Sequence, residues 1–344
     1  MKKLTVFLGM FAFSATFAVA QDSLTQVLPL LQAQTRTAQE TQQVVHLFRT
    51  TQDPEAVFAA GASLVRIAPD KVYEPALFNE IISAQNPLKS AFSAIILTSM
   101  GSGYEEFSPL LLDALHSDQP ILRAYAAGAY ALLRPADKAY TADVVRLYIF
   151  DPALAQRAAN ALTADTPALL TLLKKQAASE DPQLRAAVAA WLGTLHTPQA
   201  LALLDKRAKK ETDSSVQTQL AMSLASWPEQ ALPLAVKGLS LPYTKPAATT
   251  YDLALGFMTG HSVSALKTAI LSTRSNERIN ALRAAAYMAG VLANPDGFAY
   301  STDRTFDIHL LKGLLPQITA LANNGSAEEK KYAQNTLAQI EKLL

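Results

Sequence analysis

The chain has 344 residues, half of them hydrophobic, with 30 Lys and Arg against 29 Asp and Glu and a formal net charge of +1. A protein that neutralises phosphates usually shows a basic surface, so this balance argues against a nucleic-acid partner. The chain contains no cysteine, which excludes disulfides, thiolate metal sites and a cysteine nucleophile.

The N-terminus has the three parts of a secretory signal peptide. Lys2 and Lys3 supply the positive end, residues 4–17 an apolar stretch, and residues 18–20 the small-residue cleavage motif Ala-Val-Ala. The apolar stretch is shorter than the ~20 residues that span a bilayer, which favours cleavage over an uncleaved membrane anchor. We therefore expect residues 1–20 to be removed, and a mature chain that does not span a membrane. The short leader is typical of bacteria, so we expect a periplasmic or secreted protein.

A capping residue followed by proline recurs along the chain at nearly constant spacing. The pairs are Asp53-Pro54, Asn86-Pro87, Gln119-Pro120, Asp151-Pro152 and Asp181-Pro182. Their prolines lie 33, 33, 32 and 30 residues apart, and the count continues to residues 214, 246 and 277. A fixed period in this range is typical of a solenoid, in which each repeat is one supersecondary unit stacked on its neighbours.

Residues 166–195 show the repeat most clearly. The second helix of this segment follows the capping residue Asp181, with Pro182 at its first position. Leu184, Val188 and Leu192 then recur at four-residue steps along one apolar face. Aligning the other repeats predicts about nine helix pairs over residues 21–344, in an all-α fold. The second helices are expected near 54–67, 87–100, 120–133, 152–163, 182–195, 214–226, 246–258, 277–292 and 327–343. The first helix is expected from about 23 to 49.

The string from Asp181 to Gly193, Asp-Pro-Gln-Leu-Arg-Ala-Ala-Val-Ala-Ala-Trp-Leu-Gly, resembles a HEAT repeat, in particular the short variety first noted in phycobilisome lyases. The resemblance extends over most of the mature chain and is sharpest between residues 118 and 228. It implies a right-handed α-solenoid whose concave surface, lined by second helices, holds other macromolecules. The 34-residue tetratricopeptide repeat is the alternative, but its aromatic and small-residue pattern is not evident here.

The same resemblance implies an arginine near the start of each second helix. Arg123 and Arg185 match it, whereas Ala155, Gln217 and Val57 stand in its place in other repeats. We therefore do not expect an unbroken ladder of polar contacts between repeats.

The repeat spacing fails once, between residues 277 and 327, and the excess falls in residues 294–306. This insertion contains Phe298, Tyr300, Arg304 and Phe306. Insertions in repeat proteins map to loops, often on the binding face. The loop could contact a partner, or it could be a long connection whose aromatic side chains cover an exposed repeat edge. Its acidic residues lack the alternating spacing of a calcium loop, so we expect no metal site.

No catalytic constellation is evident in the sequence. The five histidines are scattered without a four-residue spacing between any two, and no Gly-x-Ser-x-Gly elbow occurs. We predict no catalytic residue, no cofactor and no metal ligand. The candidate partner-binding residues are Arg123, Tyr125 and Arg185, which we place near the concave rim, together with Phe298, Tyr300, Arg304 and Phe306 of the insertion.

These patterns favour an exported, non-catalytic scaffold or adaptor that binds a protein or peptide partner. A lyase-like enzyme, which the resemblance brings to mind, is one alternative and would need a cavity with a positioned acid or base. An architectural protein of the cell envelope is another. The sequence leaves the partner's identity and the oligomeric state open.

Overall fold

The structure is a computed structural model that describes residues 37–66, 78–79, 81–82, 86–101, 105–163, 165–294 and 303–343. These residues form helices and turns, and none of them lies in a β-strand. The chain divides into two compact units, Met1–Leu172 and Leu173–Leu344. The predicted signal peptide, together with Phe298 and Tyr300, lies outside the described residues.

The first unit consists of α-hairpins in which the second helices pack on one another in series. Its helices are α1 (Ala38–Thr50), α2 (Pro54–Arg66), α3 (Pro87–Ser99), α4 (Ser108–Leu115), α5 (Pro120–Leu133), α6 (Thr141–Leu147) and α7 (Pro152–Leu162), and the division between the units falls within α8 (Thr166–Gln176). The described residues between 78 and 82 are also helical. Helices α2, α3, α5 and α7 form the stack, while α1, α4 and α6 pack as first helices against α2, α5 and α7.

The second unit repeats this arrangement. Its helices are α9 (Pro182–Leu195), α10 (Pro198–Ala208), α11 (Ser214–Ala225), α12 (Pro228–Gly238), α13 (Pro246–Phe257), α14 (Val263–Ile270), α15 (Ser275–Ala293), α16 (Arg304–Lys312), α17 (Leu315–Asn324) and α18 (Ala327–Glu341). Helices α9, α11, α13, α15 and α18 stack in that order. The first helices α10, α12, α14 and α17 each pack against the second helix of their own hairpin. Each unit is therefore an all-α solenoid, as the repeat spacing predicts.

The predicted caps explain where the second helices begin. The side chain of Asp151 accepts a hydrogen bond from the Leu154 amide at 2.9 Å, and that of Asp181 accepts one from the Gln183 amide at 2.8 Å. Such oxygens satisfy amides of the first turn that have no partner within the helix. Ser326 and Glu329 form a capping box at the start of α18. Most second helices have proline at their first position, where a backbone N–H would have no partner within the helix. Proline suits this position because it has no N–H.

Three boundaries differ from the sequence-based expectation. Helix α1 begins at Ala38, because Thr37 is extended and caps the helix with Glu40, and the expected helical residues 23–36 lie outside the described residues. Helix α15 begins at Ser275, two residues before the expected start. The last residues of the predicted inserted loop at 294–306 are helical, because Asp303 accepts from the Phe306 amide at 2.9 Å and so begins α16, while residues 295–302 lie outside the described residues. Much of the excess in the repeat spacing is thus an additional helix, which packs against α15.

Candidate functional site

In the second unit, the first helices cover one side of the stacked second helices. We call the half-exposed and exposed side chains of α9, α11, α13, α15 and α18 that recur at three- and four-residue steps the second-helix face. Its members are Ala186, Ala190, Thr218, Gln219, Met222, Thr249, Leu253, Phe257, Arg283, Ala286, Tyr287, Gly290, Val291, Tyr332, Asn335 and Gln339. The face thus extends over five stacked helices.

The character of this face changes along the stack. Helix α9 presents the small side chains of Ala186 and Ala190. Helices α13 and α15 present large apolar side chains, among them Leu253, Phe257 and Tyr287, which are only half-buried. A cluster of large apolar side chains left in contact with water is a common mark of a binding surface.

These apolar side chains line a pocket of about 490 Å³ that is open to solvent between α13, α15 and α18. It is lined by Leu253, Phe257, Ala286, Tyr287, Gly290, Val291, Asn294, Asn335 and Gln339. None of the lining residues is charged, and three of them carry a carboxamide. Binding pockets typically have this size and this mixture of apolar walls with a few polar groups.

Gly290 contributes open space to the pocket. A Cβ atom built at Gly290 would have no heavy atom within 4 Å. At Gly256, by contrast, a Cβ atom would lie 2.7 Å from Cβ of Tyr287 and 3.1 Å from the Met288 backbone nitrogen. Gly256 therefore lets α13 and α15 approach each other, whereas the absence of a side chain at Gly290 keeps the pocket open.

Arg283 connects α13 and α15 beside the pocket. Its Nη1 donates to the Tyr243 carbonyl and its Nη2 donates to Oγ1 of Thr249, each at 2.7 Å. The ring of Tyr243 in turn meets that of Tyr332 on α18 edge-on, with 6.0 Å between the centroids. These contacts hold the three pocket helices together next to Leu253 and Tyr287.

The acid that faces Arg283 from the core is Asp252. Its side chain is 0% exposed, and Oδ2 lies 3.3 Å from Nη1 of Arg283. Neither carboxylate oxygen has a hydrogen-bond partner. Burial raises the pKa of Asp252 well above its ordinary value, and the charge of Arg283 offsets only part of this effect. The carboxyl group beneath the second-helix face therefore takes up a proton more readily than an exposed aspartate.

At the junction between α9 and α11, the pKa of a buried acid is lowered instead of raised. Nε and Nη2 of Arg185 each donate to Glu211 at 2.9 Å, and Arg207 also donates to this carboxylate. The Thr212 and Asp213 amides donate to Oε1 of Glu211. Burial of Glu211 opposes ionisation, but the hydrogen bonds from Arg185, the Asp213 amide and Arg207 outweigh it and lower its pKa to about 2.

A ladder of polar contacts crosses the repeats of this unit. Arg185 donates through Nη1 to the Ser179 carbonyl at 3.0 Å, and Arg278 donates to the Ser272 carbonyl at 2.6 Å. Gln217 donates to the carbonyls of Glu211 and Pro246, both at 3.0 Å. The expectation that Gln217 would interrupt the ladder is therefore wrong, because its amide reaches the carbonyl six residues earlier as the arginines do.

The predicted contact residues of the helices have internal roles. Tyr125 is 3% exposed and packs against the ring of Phe92, so its expected position at the rim is wrong. Burial also raises its pKa, as does the nearby charge of Asp151. Arg123 is half-buried and donates to the Ser117 carbonyl at 2.6 Å. The side chain of Arg185 is 11% exposed, and its donors bind Glu211 and main-chain carbonyls.

The two described contact candidates of the insertion lie at the start of α16. Nε of Arg304 donates to the Leu292 carbonyl at 2.6 Å, so this side chain ties α16 to the end of α15. Phe306 is 56% exposed, an unusual state for a phenylalanine. Within the second unit, Arg304 and Phe306 lie on α16 and Arg185 lies on α9, whereas Arg123 belongs to the first unit.

Sequence reasoning missed the pocket residues. Their signal is a second apolar stripe on α13, where Leu253 and Phe257 lie four residues apart, in addition to the buried Tyr251 and Leu255. A helix that is apolar on both sides is either fully buried or exposes one apolar side. The sequence alone does not show which side the first helices cover.

Among the described residues, no group of three or more His, Asp and Glu side chains could hold a metal ion. His116 lies at the C-terminal end of α4, and its Nδ1 lies 2.7 Å from the Leu112 carbonyl oxygen. Within the same part of the chain, no helix combines the length and apolar character needed to cross a bilayer.

Comparison with known proteins agrees with this geometry. Residues 146–225 match the family model for HEAT repeats. These 80 residues of the chain therefore carry HEAT repeats. HEAT repeats generally form non-catalytic scaffolds and commonly mediate protein interactions. No curated protein matches the chain.

Similar solved structures are repeat-type proteins of low sequence identity. The crystal structure of Escherichia coli YibA is 13% identical with a TM-score of 0.34, over 95% of this chain and 99% of that chain. An engineered protein is 20% identical with a TM-score of 0.21, over 88% of this chain and 96% of the other. Since both TM-scores lie below 0.5, neither similarity supports a statement about this chain.

Proposed function

We propose that this protein is an exported, non-catalytic HEAT-repeat scaffold that binds a protein or peptide partner on its second-helix face. The observation that carries the proposal is the change along this face from small side chains on α9 to half-exposed Leu253, Phe257 and Tyr287 on α13 and α15. Buried aromatic and aliphatic anchors in pockets supply most of the energy in protein interfaces. The side of α13, α15 and α18 that forms the pocket is therefore the best candidate for such an interface.

The export part of the proposal rests on the leader, with Lys2 and Lys3 before an apolar stretch and an Ala-Val-Ala motif. Fractionation of bacteria that produce the full chain, followed by N-terminal sequencing, tests it. We expect mature protein that begins at Gln21 in the periplasm or the medium. A full-length chain that retains Met1 and stays in the cytoplasm would contradict export.

Site-specific cross-linking tests the binding face. A photo-reactive amino acid is placed at Asn335, on the second-helix face. In a matched variant it is placed at Lys267, an exposed residue of α14, which is the first helix of its hairpin. Both variants are irradiated in the native cells, and the adducts are identified by mass spectrometry. We expect a discrete adduct from position 335 and none from 267. Adducts of equal yield from both positions would place binding elsewhere.

A further inference from the structure

The pocket between α13, α15 and α18 has chemistry that selects among possible occupants. We propose that it binds one bulky uncharged side chain of an extended peptide segment. We further propose that the carboxamides of Asn335 and Gln339, which we call the rim of the pocket, bind the backbone of that segment. This inference rests on the proposed function and names the kind of partner that the second-helix face fits.

The walls select an uncharged, apolar side chain. Phe257, Leu253 and Val291 supply apolar surface, Tyr287 adds an aromatic ring, and no lining residue carries a charge. A charged side chain placed against these walls would lose part of its water shell without gaining an ionic partner among the lining residues. The walls therefore favour an uncharged side chain over a charged one. A volume of about 490 Å³ has room for a large aromatic or aliphatic group.

The rim selects a peptide backbone. A carboxamide both donates and accepts hydrogen bonds, as a peptide group does. The Asn335 side chain makes no hydrogen bond to any described residue, and Oε1 of Gln339 accepts from Nζ of Lys342 at 3.0 Å while its amide nitrogen is not engaged within the described residues. A helix already uses its backbone groups internally, whereas an extended segment has them available to a partner. The occupant is therefore an extended segment rather than a helix.

Gly290 makes the inference testable without disturbing the core. It is exposed, lies within α15, and has no atom within 4 Å of where a Cβ would project. A methyl group there leaves most of the pocket open, whereas an aromatic side chain fills it. Gly290→Ala and Gly290→Phe are thus a matched pair of variants at one position.

The experiment follows the backbone amide signals of Gly290 and Asn335 by NMR in the mature full chain. The probes are three blocked peptides, Gly-Ser-X-Ser-Gly with X as Trp, Ala or Glu, and free indole. We expect the Trp peptide to shift both signals, and the Ala and Glu peptides to bind at least about tenfold more weakly, since a buried anchor dominates such contacts. Gly290→Phe should weaken the Trp peptide at least tenfold, and Gly290→Ala, which adds only a methyl group, should weaken it much less than Gly290→Phe does.

A second variant separates the rim from the walls. Asn335→Leu should weaken the Trp peptide several-fold without changing the affinity of free indole, which has no peptide backbone. Thermal unfolding of each variant shows whether it is folded. If Gly290→Phe does not fold, Asn335→Leu alone tests the inference. Equal affinity of free indole and the Trp peptide would make this a small-molecule pocket and overturn the inference.

Two further outcomes would also overturn it: no shift with the Trp peptide, or binding that neither Gly290→Phe nor Asn335→Leu weakens. The proposed function would survive them if a partner still cross-linked to the second-helix face away from the pocket, for example at Gln219. Loss of cross-linking along the whole face would instead reject the proposed function.

Discussion

Two junctions between stacked helices of the second unit each bury an acidic side chain, but the two side chains have different hydrogen-bond partners. Between α9 and α11, the buried carboxylate of Glu211 is bound by two arginines and two backbone amides, and its pKa falls to about 2. Between α13 and α15, the buried carboxyl of Asp252 has Arg283 3.3 Å away and no hydrogen bond, and burial raises its pKa. Burial alone therefore does not determine the charge of an acid between repeats. The number of donors around it does.

The difference coincides with the change in the second-helix face. Glu211 binds Arg185 of α9, the helix with small side chains on the face, whereas Asp252 is the neighbour in sequence of the pocket residue Leu253. Arg283 gives two of its donors to Tyr243 and Thr249 beside the pocket instead of to Asp252. Arg283 thus donates hydrogen bonds next to the proposed binding surface, and the carboxyl oxygens of Asp252 are left without a hydrogen bond.

A large loss of stability is expected on substitution of Glu211. Glu211→Gln removes the charge that binds Arg185 and Arg207, and we expect a loss of about 3 kcal/mol in the free energy of unfolding, as for breaking a buried ion pair. Denaturant unfolding at pH 7 measures it. The control is Glu180→Gln, an exposed acid in the same repeat, with a change within about 0.5 kcal/mol. Equal small changes at both positions would mean that the ladder contributes little.

The packing of the α9 side is tested next. Leu192 is buried in α9, and Leu192→Ala should cost about 2–5 kcal/mol of unfolding free energy because it leaves a cavity. Lys209→Ala, which removes a half-exposed ion pair with Asp205, should change it by less than about 0.5 kcal/mol. Similar values for the two variants would show that Leu192 does not lie in a well-packed core.

The repeat spacing predicted most of this packing, and particular residues show why it could not predict the rest. Asp-Pro or Asn-Pro pairs located the starts of several second helices, because cap and proline chemistry is local in sequence. Helix α15 was misplaced by two residues, since Arg274 precedes it with no side-chain cap and no proline follows. The additional helix α16 fell partly within a stretch expected to be a loop.

The candidate site was less predictable than the fold. Arg185 resembles a contact residue in sequence, but its partner Glu211 lies 26 residues away, and only the stacking of repeats brings them together. The pocket requires side chains from α13, α15 and α18, which are far apart in the chain. Local periodicity identifies each apolar stripe, but the tertiary arrangement decides which stripes remain in contact with water.

The helix contact beneath the pocket can be tested with a pair of glycines. Gly256→Ala should cost about 1–3 kcal/mol of unfolding free energy, because the added methyl group would overlap Tyr287 and the backbone at Met288. Gly290→Ala should instead add about 0.5–1 kcal/mol, since alanine is a better helix residue and the site is open. Thermal and denaturant unfolding give both values. A loss at Gly290 would contradict the open pocket.

The smallest expected effect at neutral pH is at Asp252. Because its folded pKa is raised, proton uptake stabilises the folded chain as the pH falls through that pKa. Glu211 acts in the opposite direction, and its contribution is lost between about pH 4.5 and pH 2.

Asp252→Asn should therefore change stability by less than about 1 kcal/mol at pH 7, because an amide is close in shape to the protonated acid. It should also remove part of the gain in stability on mild acidification. Unfolding of both chains from pH 8 to pH 5 provides the comparison. A loss as large as that of Glu211→Gln at pH 7 would show that Asp252 is a strongly bound carboxylate after all.

The most direct test of the binding claim compares the two ends of the second-helix face in living cells. A photo-reactive amino acid is placed at Asn335, beside the pocket, or at Gln219, on α11, with and without Gly290→Phe. We predict a discrete partner adduct from position 335 that Gly290→Phe abolishes, and little adduct from 219. Adducts of equal yield from both positions that persist in the Gly290→Phe chain would contradict a partner site at the pocket.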